Sequence, residues 1–250
     1  MNTSTTTAPA RSTSAGGLVK RSRLERWAPI GGILFVALMV IGSMLVGNVP
    51  NPDASAHEIA KYLSDSGRQT HNIIGAYLWV IGALAFLWFL IRLRNDLRRA
   101  EGGTGALSNL AFGAGVAFAA VWTVSAATFA AVPYAVTLRD APVSDADLVR
   151  VLPPLGRLEL LLGGGFFGLL VLLATATVIL KTRVLPRWLA WLGIVAAIAL
   201  VFDVIYVNIF PLWTWVGIAS VVMLVRDARK HPAGAAEPDA FPVHRQEQLA

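Results

Sequence analysis

Asp203 stands in the run LVFDVIYVNIF (200–210), where every immediate neighbour is apolar. A carboxylate in such a place is costly unless it is paired, hydrogen-bonded or set against water. Tyr206 and Asn208 lie beside it in sequence, and a second set of polar residues recurs at the ends of other apolar runs: Arg68, His71 and Asn72, then Tyr134, then Arg157 and Glu159. Two guanidinium groups suit a carboxylate or phosphate, and two carboxylates suit a cation. Amide and phenol groups would orient whatever is held. These nine residues are the candidate ligand-binding set, with Asp203 expected to pair with Arg157 or Arg68. Acid–base catalysis asks more, because Asp203, His71 and Glu159 would have to meet in one pocket.

No catalytic pattern accompanies them. The sequence has no Gly-x-Ser-x-Gly, no His-Glu-x-x-His and no P-loop. It has no cysteine, which removes disulfides, thiolate metal sites and cysteine nucleophiles. Its four histidines, His57, His71, His231 and His244, show no metal-ligand spacing, and none lies deep in an apolar run. No metal site and no cofactor is therefore expected. A net charge of +6 could suggest nucleic acid, but the basic residues flank apolar runs and form no compact basic domain, so nucleic-acid binding is not expected either.

The elements that must position the polar set are membrane spans. The chain of 250 residues is 56% hydrophobic and only 14% charged, with mean hydropathy +0.62. Soluble domains carry nearer a quarter charged residues, and here the charges cluster, leaving apolar runs longer than the ~18 residues that mark a span candidate. Six spans are predicted, at about 27–49, 71–91, 107–132, 158–180, 188–206 and 209–225. The last two come from one nearly continuous run, far longer than a bilayer needs as a single helix. Asn208 and Pro211 mark a break near its middle, since proline suits a helix's first turn and not its interior. The fold class is an all-α polytopic bundle. Residues 1–19 and 231–250, rich in small and polar residues, are expected to be disordered tails, and 20–230 form the membrane domain. The first run begins too late and is too long for a signal peptide.

Charge sets the orientation. With six spans and the N-terminus inside, sixteen of the 21 Lys and Arg fall on the inner side, leaving only Lys61, Arg68, Arg139, Arg150 and Arg157 outside. Every loop then obeys the positive-inside rule, and both termini are cytoplasmic. Asp203 lies fifteen residues from Trp188 at the inner face, about 22 Å along a helix. All nine candidates consequently share the outer depth and could line an outward-facing polar cup.

The two long outer loops resemble each other at an offset of 89: SAHEIAKYLSDSGR (55–68) against SDADLVRVLPPLGR (144–157). Each reads as a short extracytoplasmic helix. Ser55 and Glu58 form a capping-box pattern, with Ser144 and Asp147 a weaker version. Ile59, Tyr62 and Leu63 make one apolar stripe, and each helix is expected to stop at glycine, Gly67 or Gly156. Two span–helix–span units and a closing hairpin result. Lipid tails are as apolar as leucine, so the spans must associate through small residues. The third span, mostly Ala, Gly, Ser and Thr, is expected at the bundle centre. Gly164 with Gly168, and Ser43 with Gly47, are small-residue pairs that serve packing within the chain or a homodimer.

The fifth span opens KTRVLPRWLAWLG (181–193). Basic anchors, a proline at the helix start and an interfacial tryptophan form an inner-face signal. Through Lys181, Thr182, Arg183, Leu185, Pro186, Arg187, Trp188, Leu189 and Gly193 the chain resembles an uncharacterised family of bacterial integral membrane proteins of the DUF4386 kind. The resemblance implies a multi-span protein of the bacterial cytoplasmic membrane and carries over no activity. The sequence thus favours a non-enzymatic accessory, structural or ligand-sensing role, its partners being the lipid bilayer and an unidentified small-molecule or lipid ligand. The alternatives are a transporter or channel for a small solute or lipid, which needs a polar path to the inner face, and an enzyme acting on lipid.

Overall fold

The computed structural model describes residues 23–47, 49–50, 53–139, 146–206 and 210–230; of 23–28, 146, 203–206 and 230 it describes the backbone alone. The described residues form eight α-helices and no strand. These are α1 (Arg23–Val46), α2 (Ala56–Ser64), α3 (Ser66–Glu101), α4 (Ala106–Arg139), α5 (Ala146–Glu159), α6 (Gly165–Thr182), α7 (Arg187–Tyr206) and α8 (Phe210–Lys230). Five helical stretches are long and apolar enough to cross a membrane: Pro29–Val46, Ser66–Glu101, Ala106–Arg139, Asp147–Thr182 and Phe210–Arg229. In α7 the apolar stretch, Arg187–Phe202, is shorter. The break between α7 and α8 falls where it was expected, with Pro211 in the first turn of α8; Asn208 and both tails lie outside the described residues.

Local chemistry explains most boundaries. Gly47 ends α1 at φ +57°, where a side chain would be strained. The expected capping box opens α2: the Ser55 backbone N–H donates to Glu58 Oε2 at 2.7 Å, and the Glu58 N–H donates to Ser55 Oγ at 3.3 Å. Between α3 and α4 the glycine-rich turn at 102–105 leaves α4's first N–H groups free, and Glu101 reaches across to take them. Its Oε1 accepts from Leu107 N–H and its Oε2 from Ser108 N–H, each at 2.9 Å, and Oε2 also accepts from the Ser108 hydroxyl.

Glycine does not end the outer helices, contrary to expectation. The first helix stops at Ser64, and Asp65, in a non-helical conformation, caps α3 by accepting the Arg68 N–H at 2.9 Å. Gly67 lies inside the first turn of α3. The second outer helix does not stop at all: α5 passes through one π-helical turn, Leu160–Gly164, straight into α6. Gly156 is glycine for a packing reason, because a Cβ there would sit 2.9 Å from the Phe129 ring on α4.

The helices pack in a ring. α1 lies on α3 and α8, α3 on α4, α4 on α6, α6 on α7 and α7 on α8, while α3 also reaches α6 across the interior. The alanine-rich helix α4 is therefore a member of the ring, not its central post. Its buried face carries Ala111, Ala114, Phe118, Trp122 and Ala126, but Leu110, Val116 and Val124 face outward. Small residues determine how closely a helix approaches its neighbours; the interior itself is filled by aromatics. Trp79 on α3 meets Trp122 on α4 with centroids 5.8 Å apart, Trp122 meets Trp213 on α8 at 5.7 Å, and Phe86 meets Phe118 at 5.3 Å.

The closest approach of backbone to backbone joins α1 and α3. A Cβ on Gly75 would lie 2.7 Å from the Gly42 carbonyl oxygen, and one on Gly42 would lie 2.6 Å from the Trp79 ring. Gly168 packs inside the chain in the same way, against Leu212 and Leu200. Since backbone cannot give way as a side chain can, Gly75→Ala is expected to cost about 1–3 kcal/mol of stability. Gly113→Ala, which meets nothing within 4 Å, should instead gain up to about 1 kcal/mol through helix propensity. Denaturant titration of the purified protein in detergent measures both, and equal effects would discount the crossing.

Candidate functional site

The corner between α2 and α3, outer in the predicted threading, holds a buried polar network. Tyr62 points inward from α2, 3% exposed, and its hydroxyl accepts from Asn72 Nδ2 at 2.7 Å. Its backbone carbonyl accepts from Gln69 Nε2, also at 2.7 Å. Gln69 and Asn72 are buried one turn apart on α3. Both amides donate to α2, while Gln69 Oε1 and Asn72 Oδ1 find no hydrogen-bond partner among the described residues. Burial raises the Tyr62 phenol above its ordinary value, so the phenol stays protonated and can hold its place in the network.

Outside this network lies a cavity of about 330 Å³, walled by Val49, Pro50 and Asp53 from the segment after α1, by Glu58, Lys61 and Tyr62 of α2, and by Arg68 of α3. It presents two acidic and two basic side chains around the Tyr62 ring. Glu58 is engaged by the Ser55 cap, and Arg68 lies 3.7 Å from Asp65 in a pair half open to solvent, which contributes little. Asp53 and Lys61 make no ion pair among the described residues. The second outer helix braces the cavity from behind: Arg150 of α5 donates through Nε and Nη2 to the Ala54 carbonyl at 3.3 and 3.2 Å, and through Nη1 to Asp147 at 2.9 Å.

Of the nine residues proposed from sequence, Arg68 and Asn72 belong to this corner. His71 is exposed on α3 beside it. Glu159 is elsewhere, accepting from Thr128 of α4 at 3.1 Å. Arg157 is half-buried on α5, and Tyr134, 43% exposed, lies under the guanidinium of Arg139 at 6.0 Å. No hydrogen bond or ion pair among the described residues joins His71, Glu159 or Arg157 to one another, so the polar set is divided between two places. Asp203 and Tyr206 lie on the last turns of α7, with side chains outside the described residues, as is the whole of Asn208. The pairing of Asp203 with an arginine is not among the described contacts. Gln69 was missed because a lone glutamine at a helix start carries no spacing signal, and Tyr62 had been read only as part of an apolar stripe.

The opposite end of the bundle carries a charged cluster that sequence reasoning passed over. Arg92 is 4% exposed; its Nε donates to Asp96 at 3.1 Å and its Nη2 to Asp227 at 2.8 Å, tying α3 to α8. Arg226 donates to the Val184 carbonyl, and these groups with Arg99 surround a cavity of about 270 Å³. Arg92 had been counted as one more inner-face anchor. The available signal was the pair of acids, Asp96 and Asp227, within otherwise basic segments. Between the two ends, α3 runs from Asn72 to Arg92, roughly 30 Å. Its buried face over that length is Ile73, Ala76, Trp79, Ala83, Ala85, Phe86, Phe89 and Leu90 with glycines, and the only polar side-chain atom on it is the Trp79 indole nitrogen, held near Met39 O and Ser43 Oγ.

The chain matches no known family model, no curated protein and no solved structure.

Two outcomes follow from these contacts. Arg92→Ala leaves two carboxylates facing a buried space and is expected to cost about 3–5 kcal/mol, read as a lowered unfolding midpoint; a loss under 1 kcal/mol would demote the cluster to a surface pair. At the outer end, the bond from the Ser55 backbone N–H and then the bond with its hydroxyl hold the Glu58 carboxyl below its ordinary value. A depressed folded pKa means that the cap's contribution is present above the unfolded value and is lost as pH falls through the folded one. Amide exchange at 56–64 should therefore accelerate relative to the rest of the chain, after correction for intrinsic rates, only at acidic pH below the ordinary carboxylate range. Glu58→Gln should flatten that dependence.

Proposed function

We propose that the chain is a multi-pass protein of the bacterial cytoplasmic membrane, crossing it six times with both termini in the cytoplasm, and that its outer corner binds a small zwitterionic ligand without chemical change. The carrying observation is that a mixed-charge cavity of about 330 Å³ sits at one end of a bundle whose interior beneath it is filled by aromatic rings. Binding without passage is what such an arrangement does: the ligand's opposite charges meet Asp53 and Lys61, and the apolar face of α3 offers no polar step onward. Orientation rests on the positive-inside count, and the sixth crossing is α7, whose twenty residues span about 30 Å. The two outer helices α2 and α5 are extracytoplasmic in this reading, and the bracing of one by the other makes the corner a unit able to report occupancy. The resemblance at Lys181–Gly193 is in keeping with that placement. Acid–base catalysis at the outer leaflet finds less support, because His71 and Glu159 are not joined.

The test is a thermal shift in detergent with zwitterionic amino acids, using sorbitol as the uncharged control. A ligand at ten times its Kd should add about 1.4 kcal/mol of stability, and the double variant Asp53→Asn, Lys61→Ala should abolish the shift. If no zwitterion moves the midpoint, ligand sensing at this corner is wrong. Threading is checked separately, since the chain has no native cysteine. Ala60→Cys should react with an impermeant maleimide in intact cells, and Lys230→Cys should react only after lysis.

A further inference from the structure

A second cavity of about 330 Å³ opens sideways between α3 and α4. Its floor is alanine, Ala126, Ala127, Ala130 and Ala131, and Tyr77 and Tyr134 stand along it. Of its three hydroxyls, that of Thr123 is already donated to the Ala119 carbonyl at 2.9 Å, and the other two are the phenol tips of the exposed Tyr77 and Tyr134. Apart from these hydroxyls, the lining is apolar. It lies within the outward apolar surface, where Tyr77 is 63%, Val124 56% and Ile81 48% exposed, so its occupant comes from the phase that wets that surface. From Thr123 to Tyr134 the groove follows α4 for roughly 16 Å, the reach of one extended acyl chain. Past its end, Arg139 carries an exposed guanidinium over the Tyr134 ring, and no carboxylate pairs with it among the described residues.

We propose that this groove binds one acyl chain of an anionic phospholipid, with Arg139 holding the phosphate. The alanines provide the recess. Tyr134, with an apolar ring and a polar tip, suits the level where chain meets headgroup. A guanidinium that pairs with no carboxylate among the described residues supplies the charge complement that selects the headgroup. The proposal rests on the membrane reading above but not on ligand sensing at the outer corner.

The experiment reconstitutes the full chain into phosphatidylcholine membranes doped with phosphatidylglycerol, extracts it with mild detergent and measures lipid retention by native mass spectrometry. Wild type should retain phosphatidylglycerol about fivefold over its mole fraction, the preference expected of one arginine at the surface. Arg139→Gln should keep a bound lipid and lose the headgroup preference. Ala127→Leu with Ala131→Leu fills the groove from its exposed side, away from the core, and should lose the lipid altogether. Equal retention in all three overturns the proposal. So does a crosslinked dimer that the leucine variant abolishes while lipid retention stays unchanged, because the groove then receives a second copy. A chain recovered in the soluble fraction would overturn the membrane reading and this site together. A membrane-extracted chain without headgroup preference overturns this site alone.

Discussion

Large apolar side chains cover the outside of this bundle, and the rest of the structure is organised around that surface. Met44 is 77% exposed, Leu84 62%, Phe202 63%, Val195 61% and Trp191 60%, spread over α1, α3 and α7. Soluble proteins rarely show contiguous apolar patches beyond a few hundred Å². Around five helices that are each long and apolar enough to cross a membrane, such a belt is the natural boundary with hydrocarbon. In that solvent every backbone N–H and C=O must be satisfied within the chain, which leaves helices as the way to cross. The all-helical fold, the absence of strands among the described residues and the placement of charge toward helix ends follow from the same constraint.

It also dictates what lies inside. When the outside is as apolar as the core, burial of apolar surface no longer drives helices together, and close contact and a few polar clasps must do so. Contact is provided where Gly42 meets Gly75 and where rings of α3, α4 and α8 interlock. The clasps sit at the ends: Tyr62 with Gln69 and Asn72 at one, Arg92 with Asp96 and Asp227 at the other. The larger polar clusters among the described residues thereby sit at two separate ends of the bundle. Recognition at either end is compatible with such a bundle; a path between them would need the aromatic layer to move.

What could be read in advance was local. The Ser55–Glu58 cap depends on residues three apart, and the burial of Ile59 and Tyr62 on the helical period, so both were legible. The break before Pro211 was legible because proline carries its constraint with it. The tie of Arg92 to α8 was not, because Asp227 is 135 residues away; only the pairing with Asp96, four residues on, was within local reach. The position of α4 in the ring was not legible either: alanine content says how near a neighbour can come, not how many neighbours there are. Gly156 misled for the same reason, since its contact with Phe129 belongs to the tertiary structure.

The two segments that resemble each other in sequence take different structures. At an offset of 89, Gly67 and Arg68 correspond to Gly156 and Arg157, yet Ile59 is 3% exposed where its counterpart Leu148 is 49%, and Tyr62 is 3% where Val151 is 60%. One position at which they differ is the break itself. Asp65 accepts the Arg68 N–H and so stabilises a break in which α2 turns away from α3 and lies over it. Its counterpart is Pro154, which has no side-chain acceptor to reward a cap at that point and no N–H to lose. There the helix continues, and the irregularity appears further on as the π turn at Leu160–Gly164. α5 and α6 meet through that turn with no corner between them, and Arg150 of α5 braces the first cavity through the Ala54 carbonyl. The capping carboxylate at 65 and the proline at 154 are thus in keeping with a corner in the first segment and a continuous helix in the second.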